Sequence, residues 1–320
     1  MQPPDALGGV RTVRERLRVA SPVTPPGSER WLRAWARAIL LRTAFSPDAV
    51  LVYLPSWAPV VEMLPRAHRI YHCVDAYAEN PGVDRARVET MEKRLLRSVD
   101  LVLTASAPLR HRLAPLHPHV LPLPNVADVE RFARDPGPIP PDLQAIAPPR
   151  LLYLGNLAAY KIDLDRIARL ARARPDWSWV LVGPAGRGDP STRLSILDGI
   201  DNVHRLGERD RSAAPSYVAH ADVCVLPLRD SASTRASFPL KTFEYLAAGR
   251  PVVATPIPAL EPWIAQGIVR GAREDEDWIA GIAEAFAGRD DPAAVARRRH
   301  EASRHGWSER IEEIEKLLSP

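Results

Sequence analysis

The chain holds 320 residues, 46% of them hydrophobic and 26% charged, with a formal net charge of +4. That apolar content supports a large core and two domains, while no apolar run approaches a membrane span or a secretory leader. Two cysteines in apolar runs, Cys73 and Cys224, exclude a disulfide framework and read as buried thiols in a reducing compartment, so the expected address is the cytoplasm. Basic residues are dispersed and lack an interleaved aromatic platform, which argues against nucleic acid as a partner.

In chain order, Gly8-Gly9 reads as a turn and the Pro-rich stretch 21–26 follows almost at once. Trp31, Trp35 and Ile39 then share one helical stripe flanked by Arg30, Arg33 and Arg37. Two readings fit that helix: packing on a sheet with the arginines in water, or lying on an anionic bilayer. The first is preferred, because a helix leading into a strand at 50–54 is what a parallel α/β layer needs. Further strands are expected at 69–74, 101–104 and 119–121, with a helix through Val88, Met91, Leu95 and Leu96 between the first two of these. The breaker-rich stretch 138–149 reads as a linker between an N-terminal domain (1–137) and a second α/β domain (150–300). In that second domain strands are expected at 151–154, 177–182, 202–206, 222–226 and 252–255, with a helix at 164–173. A C-terminal helix (301–320) closes the chain, with packing back onto the first domain as one option. The expected fold class is α/β, two doubly wound Rossmann-like domains with the ligand in the cleft between them.

The most informative stretch is 237–255. Ser237 reads as a helix N-cap, Pro239 as a first-turn residue and Gly249 as the stop, before an apolar strand. Lys241 and Glu244 are three residues apart and share a helix face near its N-terminal end. A cation beside a positive helix terminus suits a diphosphate, and a carboxylate one turn on suits vicinal hydroxyls. A plain surface ion pair is the competing reading. The apolar setting between two strands, at the carboxyl edge of an open sheet, favours the ligand site.

The stretch 239–253, Pro-Leu-Lys-Thr-Phe-Glu-Tyr-Leu-Ala-Ala-Gly-Arg-Pro-Val-Val, resembles the donor signature of the large retaining GT-B glycosyltransferase family with an E-x7-E pattern. Tyr-Leu-Gly-Asn-Leu at 153–157, Val-Leu-Val-Gly-Pro at 180–184, Asn-Val-His-Arg-Leu-Gly at 202–207 and Leu-Pro-Leu-Pro-Asn-Val-Ala-Asp at 121–128 are similar to further landmarks of it, in the same order. The segments 71–75 and 103–106 resemble a bacterial cell-wall and exopolysaccharide subgroup. The resemblance implies transfer of a hexosyl unit from a nucleoside-diphosphate sugar to a glycan or lipid-linked acceptor, with retention. It implies Gly155, Asn156, Ser237, Phe238, Leu240, Lys241 and Glu244 at the donor, Glu244 on the ribose and Lys241 near the diphosphate. Lys161 joins Lys241 as a catalytic cation against the leaving diphosphate, with a plain surface charge at a helix start as its competing reading. His72, Asp75, Ser106 and Asn125 fall on the acceptor side, in the N-terminal domain. The donor sugar is the only small molecule implied, with no cofactor and no metal, and the implied location is cytoplasmic or peripheral at the inner membrane face.

Three departures stand beside the resemblance. Ala236 occupies the position of the first Glu, and Asn156 that of an Arg in the glycine loop. The first domain is expected to be short by one or two β-α units of about 30 residues each, which a late start codon or a truncated copy would both explain. A non-catalytic scaffold that binds nucleotide or a partner protein is therefore the alternative. Asp163-Leu164-Asp165 has a metal-binding spacing but opens a helix, where capping explains it better. A nucleotide-sugar epimerase is a third option, without the carboxylate and histidine constellation it would need.

Overall fold

The computed structural model describes residues 10–14, 17–20 and 28–318. The Gly8-Gly9 pair and the 21–26 stretch lie outside them. The chain divides into two compact units: residues 1–73, 84–104 and 110–121 form the first, and 74–83, 105–109 and 122–320 the second.

In the first unit, strands β1 (Val10–Arg14) and β2 (Leu17–Ala20) form an antiparallel pair. Strands β3 (Ala49–Val52), β4 (His68–Cys73), β5 (Leu101–Thr104) and β6 (Val120–Pro122) make a four-stranded sheet in that order, parallel between β3 and β4 and between β4 and β5. The helix Glu29–Thr43 is capped by Ser28, whose side chain accepts from the Trp31 backbone N–H. Its Trp35 and Ala36 are buried with Val60, and Trp31, Leu32, Ile39 and Trp57 pack around them. The aromatic stripe thus faces protein. The helix Arg85–Leu96 brings in a buried polar group: Glu92 accepts from the Tyr71 hydroxyl at 2.8 Å and from Arg112 at 3.0 Å. Cys73 lies beside them, fully buried, its thiol pushed up to about 11 chiefly by burial.

The second unit holds a six-stranded parallel sheet. Its strands are β7 (Arg150–Leu154), β8 (Ser178–Val182), β9 (Val203–Gly207), β10 (Val223–Leu226), β11 (Val252–Ala254) and β12 (Val269–Gly271). Their spatial order is β12-β11-β10-β7-β8-β9, with every neighbouring pair parallel. Strands β8, β10 and β11 are buried at every residue, as parallel strands covered on both faces must be. The order reverses between β7 and β10, so the switch point where open α/β sheets take ligands lies there.

The boundary at 121/122 lies ahead of the expected linker at 138–149. The reason is burial: Val129 and Phe132 of the helix Val129–Ala133, then Leu143 and Ile146, all join the core of the second unit. The C-terminal helices Pro292–Ser303 and Trp307–Leu318 are counted with the same unit. Asp163 caps the helix Leu164–Ala173 by accepting from the Arg166 N–H, as its spacing suggests.

Candidate functional site

Three loops meet at the carboxyl edge of the second sheet. The Gly155 N–H donates to the Val182 carbonyl at 2.7 Å, Gly183 donates to Gly207 at 2.9 Å, and Leu157 donates to Pro184 at 2.9 Å. The loops after β7, β8 and β9 are therefore stacked edge to edge. Only glycine fits their contact. Gly155 has φ 153° and Gly183 φ 142°, and a Cβ at Gly183 would stand 2.1 Å from the Gly155 carbonyl oxygen. A Cβ at Gly155 would stand 2.2 Å from Cε of Lys241.

The helix Lys241–Ala247 delivers the charged pair from the other side of the switch point. Tyr245 fixes it to β7: its hydroxyl accepts from the Leu154 N–H at 3.0 Å. Phe243 is fully buried, with Phe238 stacked at 5.6 Å, Trp263 at 5.0 Å and His305 at 4.1 Å between ring centroids. With those residues turned inward, Lys241 and Glu244 face a cavity of 390 Å³, together with Gly155, Asn156, Asp128 and Arg211. A cavity of that size falls in the range of small-molecule sites.

Neither Lys241 nor Glu244 has an ion-pair or side-chain hydrogen-bond partner among the described residues. Burial lowers the Lys241 ammonium below its ordinary range, opposed by Glu244 and reinforced by the charge of Lys161. Burial raises the Glu244 carboxyl above its ordinary range, opposed first by Lys241. Both groups are held half-buried at a cost that an anionic, hydroxyl-bearing ligand would relieve.

Several expected roles change. Ser237 is not the N-cap of this helix. It ends the preceding helix Ala232–Ala236, where its hydroxyl donates to the Thr234 carbonyl at 2.8 Å, and the N-cap position belongs to Leu240, without a side-chain cap. The first-turn N–H groups of Thr242 and Phe243 donate to Pro239 and Leu240, so the cation here is the Lys241 ammonium rather than a free helix terminus. Asn156 lines the cavity, but its carboxamide is occupied: Nδ2 donates to the Arg187 carbonyl at 2.7 Å and Oδ1 accepts from the Arg187 N–H at 3.0 Å. Ser237, Phe238 and Leu240 do not line the cavity.

Lys161 also lies off the wall, with its ammonium 3.3 Å from an Asp75 carboxylate oxygen. Asp75 is counted with the second unit. So is Ser106, whose hydroxyl donates to the Ala236 carbonyl at 2.6 Å. Ala236 is buried there, with a methyl group where the resemblance expects a carboxylate. His72 belongs to the first unit, buried and tilted against Tyr53 at 5.4 Å, and Asn125 is half-buried in the segment after β6. Among the described residues no group of three His, Cys, Asp or Glu could hold a metal ion, and no helix is long and apolar enough to cross a membrane.

The cavity wall adds cations that sequence reasoning missed. Arg187 pairs with Glu208 at 2.9 Å and Arg209 with Asp142 at 2.8 Å, whereas Arg131 donates to the Arg211 carbonyl. The signal that could have found Arg187, Glu208, Arg209 and Arg211 is their place just after the carboxyl ends of β8 and β9.

Residues 148–289 match the family model described as "Glycosyl transferases group 1". Over 159 residues the chain is 31% identical to a protein of Bacillus subtilis (strain 168) provisionally named the teichuronic acid biosynthesis glycosyltransferase TuaH. That match takes in 49% of this chain and 39% of the relative, so the chain spans well under half of the relative's length. Among solved structures it is similar to Anabaena Alr3699/HepE in complex with UDP, with TM-score 0.69 and 17% identity over 90% of this chain and 82% of that one. It is similar also to the sucrose-phosphate synthase of Thermosynechococcus elongatus, with TM-score 0.74 and 17% identity over 96% and 84%. The chain has the fold of these structures, the GT-B architecture built from two Rossmann-like domains.

Proposed function

We propose that this protein is a glycosyltransferase that moves a hexosyl unit from a nucleoside-diphosphate sugar to a hydroxyl of a glycan or lipid-linked acceptor. The observation that carries the reading is the unpartnered pair Lys241 and Glu244 on one wall of the 390 Å³ cavity, beneath Gly155. Lys241 neutralises the diphosphate and Glu244 accepts hydrogen bonds from the ribose hydroxyls. The bond between the anomeric carbon and the diphosphate oxygen breaks with its electron pair on the leaving group, and the acceptor oxygen bonds to that carbon as its proton passes to the departing diphosphate. Lys161 would reach the departing diphosphate once its pair with Asp75 opens. Retention at the anomeric carbon rests on the resemblance of the 239–253 stretch, and the glycan acceptor on the named role of the Bacillus relative. The match of 148–289 to the glycosyl transferase model supports the reaction class.

A second reading, nucleotide binding without transfer, is favoured by Ala236 and by the occupied carboxamide of Asn156. Calorimetric titration with UDP, GDP and dTDP tests the shared element, UDP first because the Anabaena structure contains it. One nucleotide should bind, and Lys241→Ala and Glu244→Ala should each weaken it about 10- to 100-fold, as loss of a charged hydrogen bond does. Unchanged affinity in Glu244→Ala would remove the assignment. Turnover of the matching nucleotide sugar separates transferase from scaffold.

A further inference from the structure

One wall of the 390 Å³ cavity carries a guanidinium that is held in place on three sides. Arg209 follows β9 by two residues and lines the cavity with Glu208 and Tyr217. Its Nε donates to Asp142 Oδ2 at 3.2 Å and to the Tyr217 hydroxyl at 3.1 Å. Its Nη2 donates to the same Asp142 oxygen at 2.8 Å, and Nη1 donates to the Glu208 carbonyl at 3.2 Å. Asp142 is fixed in turn: its Oδ1 accepts from the Leu143 N–H at 2.9 Å and from the Tyr217 hydroxyl at 2.8 Å. That carboxylate comes from the Pro-rich stretch 138–149, which therefore steadies a wall of the cavity as well as filling the core.

A guanidinium has five N–H donors in a rigid plane. Three are engaged in these contacts, which leaves one on each terminal nitrogen: a fork of two parallel donors with its direction set. Such a fork takes two neighbouring acceptors. The adjoining Glu208 carboxylate offers the opposite pattern. Arg187 Nη2 donates to both of its oxygens, at 3.0 and 2.9 Å, and further acceptor sites remain on them. With the diphosphate at Gly155, after β7, the loop after β9 lies two strands away in the sheet, about 10 Å. The ribose bridges that distance, so Glu208 and Arg209 face the base. Guanine presents neighbouring acceptors at N7 and O6, and next to them the donors N1–H and the exocyclic amine. Uracil and thymine present two carbonyls parted by one N–H, which a fork beside a carboxylate does not match. We infer that this site selects guanine, with the Arg209 fork on N7 and O6 and Glu208 on N1–H and the amine, so that the donor is a GDP-sugar. Asp142 and Tyr217 are positioning residues that act through Arg209. The inference rests on the donor-site reading of Lys241 and Glu244.

Calorimetric titration of the full chain with GDP, UDP and IDP tests it, IDP lacking only the exocyclic amine of GDP. GDP should bind at least about tenfold more tightly than UDP, the ligand of the Anabaena structure, with IDP between them. Arg209→Gln should erase that preference, weakening GDP about 5- to 150-fold, the range for one bidentate pair. Asp142→Asn keeps the side chain's shape and frees the fork, and should narrow the preference about two- to tenfold. A purely structural Asp142 would instead weaken GDP and UDP alike. Thermal unfolding shows each variant folded. UDP binding as tight as GDP, in a protein where Lys241→Ala still weakens both, overturns the inference and leaves the donor site standing. So does an Arg209→Gln variant that keeps the parental preference or weakens both nucleotides equally. Unchanged affinity in Glu244→Ala, or binding of no nucleotide, removes the donor-site reading and the inference with it.

Discussion

Two glycines in contact with each other should respond differently to the same substitution. At Gly155 the added methyl meets Cε of Lys241 at 2.2 Å and Nζ at 2.8 Å, the far end of a flexible side chain. At Gly183 it meets the Gly155 backbone, oxygen at 2.1 Å and carbonyl carbon at 2.6 Å, which cannot swing aside. Both sites carry a positive φ that alanine disfavours by about 1–3 kcal/mol, partly offset by about 0.4–1 kcal/mol from the stiffer unfolded chain. Gly155→Ala should therefore lose about 1–2 kcal/mol to φ, a fall in Tm of about 2–8 °C for a unit of this size, and about 0.5–1.5 kcal/mol more by forcing the Lys241 chain off its rotamer. Gly183→Ala should lose more than about 3 kcal/mol, because a backbone collision adds to the same strain. Nucleotide binding reads the other half. Gly155→Ala pushes the ammonium off its place and should weaken binding about 10- to 100-fold, as Lys241→Ala does, in a protein that still folds. Differential scanning calorimetry with Lys241→Ala as the second mutation closes the cycle: once the lysine is gone, Gly155→Ala should retain only the cost of φ. Additive losses in that cycle, or parental nucleotide affinity in Gly155→Ala, would refute the close approach of Lys241 to the glycine loop.

Glu244→Gln should weaken nucleotide binding about 10-fold and flatten one limb of the pH–stability curve. Burial raises the folded carboxyl above its ordinary 4.5, so the native state holds the extra proton and stability falls as pH rises through that window; an unchanged limb in the variant refutes it. Asp75→Asn should release Lys161 from its 3.3 Å pair and tighten nucleotide binding about two- to fivefold by calorimetry, whereas weaker binding would mean that Lys161 never turns to the donor. Arg94 bridges Glu62 at 2.6 Å and Glu29 at 2.8 Å, and holds both carboxyls below their ordinary 4.5. Arg94→Met should lower stability by about 1–3 kcal/mol at pH 7. The deficit should shrink as pH falls through those lowered values, because the depressed carboxyls stabilise the fold only while ionised; a deficit of equal size at pH 3 and pH 7 would contradict the network.

The second sheet was legible in the sequence because strands covered on both faces are spelled as unbroken apolar runs. The helix Leu164–Ala173 was legible through its 3.6-residue period and its capping aspartate. Strand β12 escaped notice: it has three residues, with Arg270 exposed at its centre. The Pro-rich stretch at 138–149 has the composition of a linker, and nothing local announces that Leu143 and Ile146 will be buried in the neighbouring core. Lys241 and Glu244 stood out because three residues on a helix fix their geometry before any tertiary contact forms. The arginines of the cavity did not, since Arg131, Arg187 and the pair Arg209 and Arg211 come from segments far apart in the chain that only the fold brings to one edge.

Asn156 shows why residue type alone misleads at such an edge. Its carboxamide can accept as well as donate, so it matches the N–H and C=O of Arg187 together, which a guanidinium cannot do. Where the resemblance expects a cation, Asn156 therefore ties the glycine loop to the one after β8. It stands beside the contact of Gly155 with Gly183, where the Lys241 chain fills the place a Gly155 side chain would take. A site arranged this way keeps the Lys241 ammonium against the glycine loop from across the switch point, with the loop itself tied to its neighbour by Asn156.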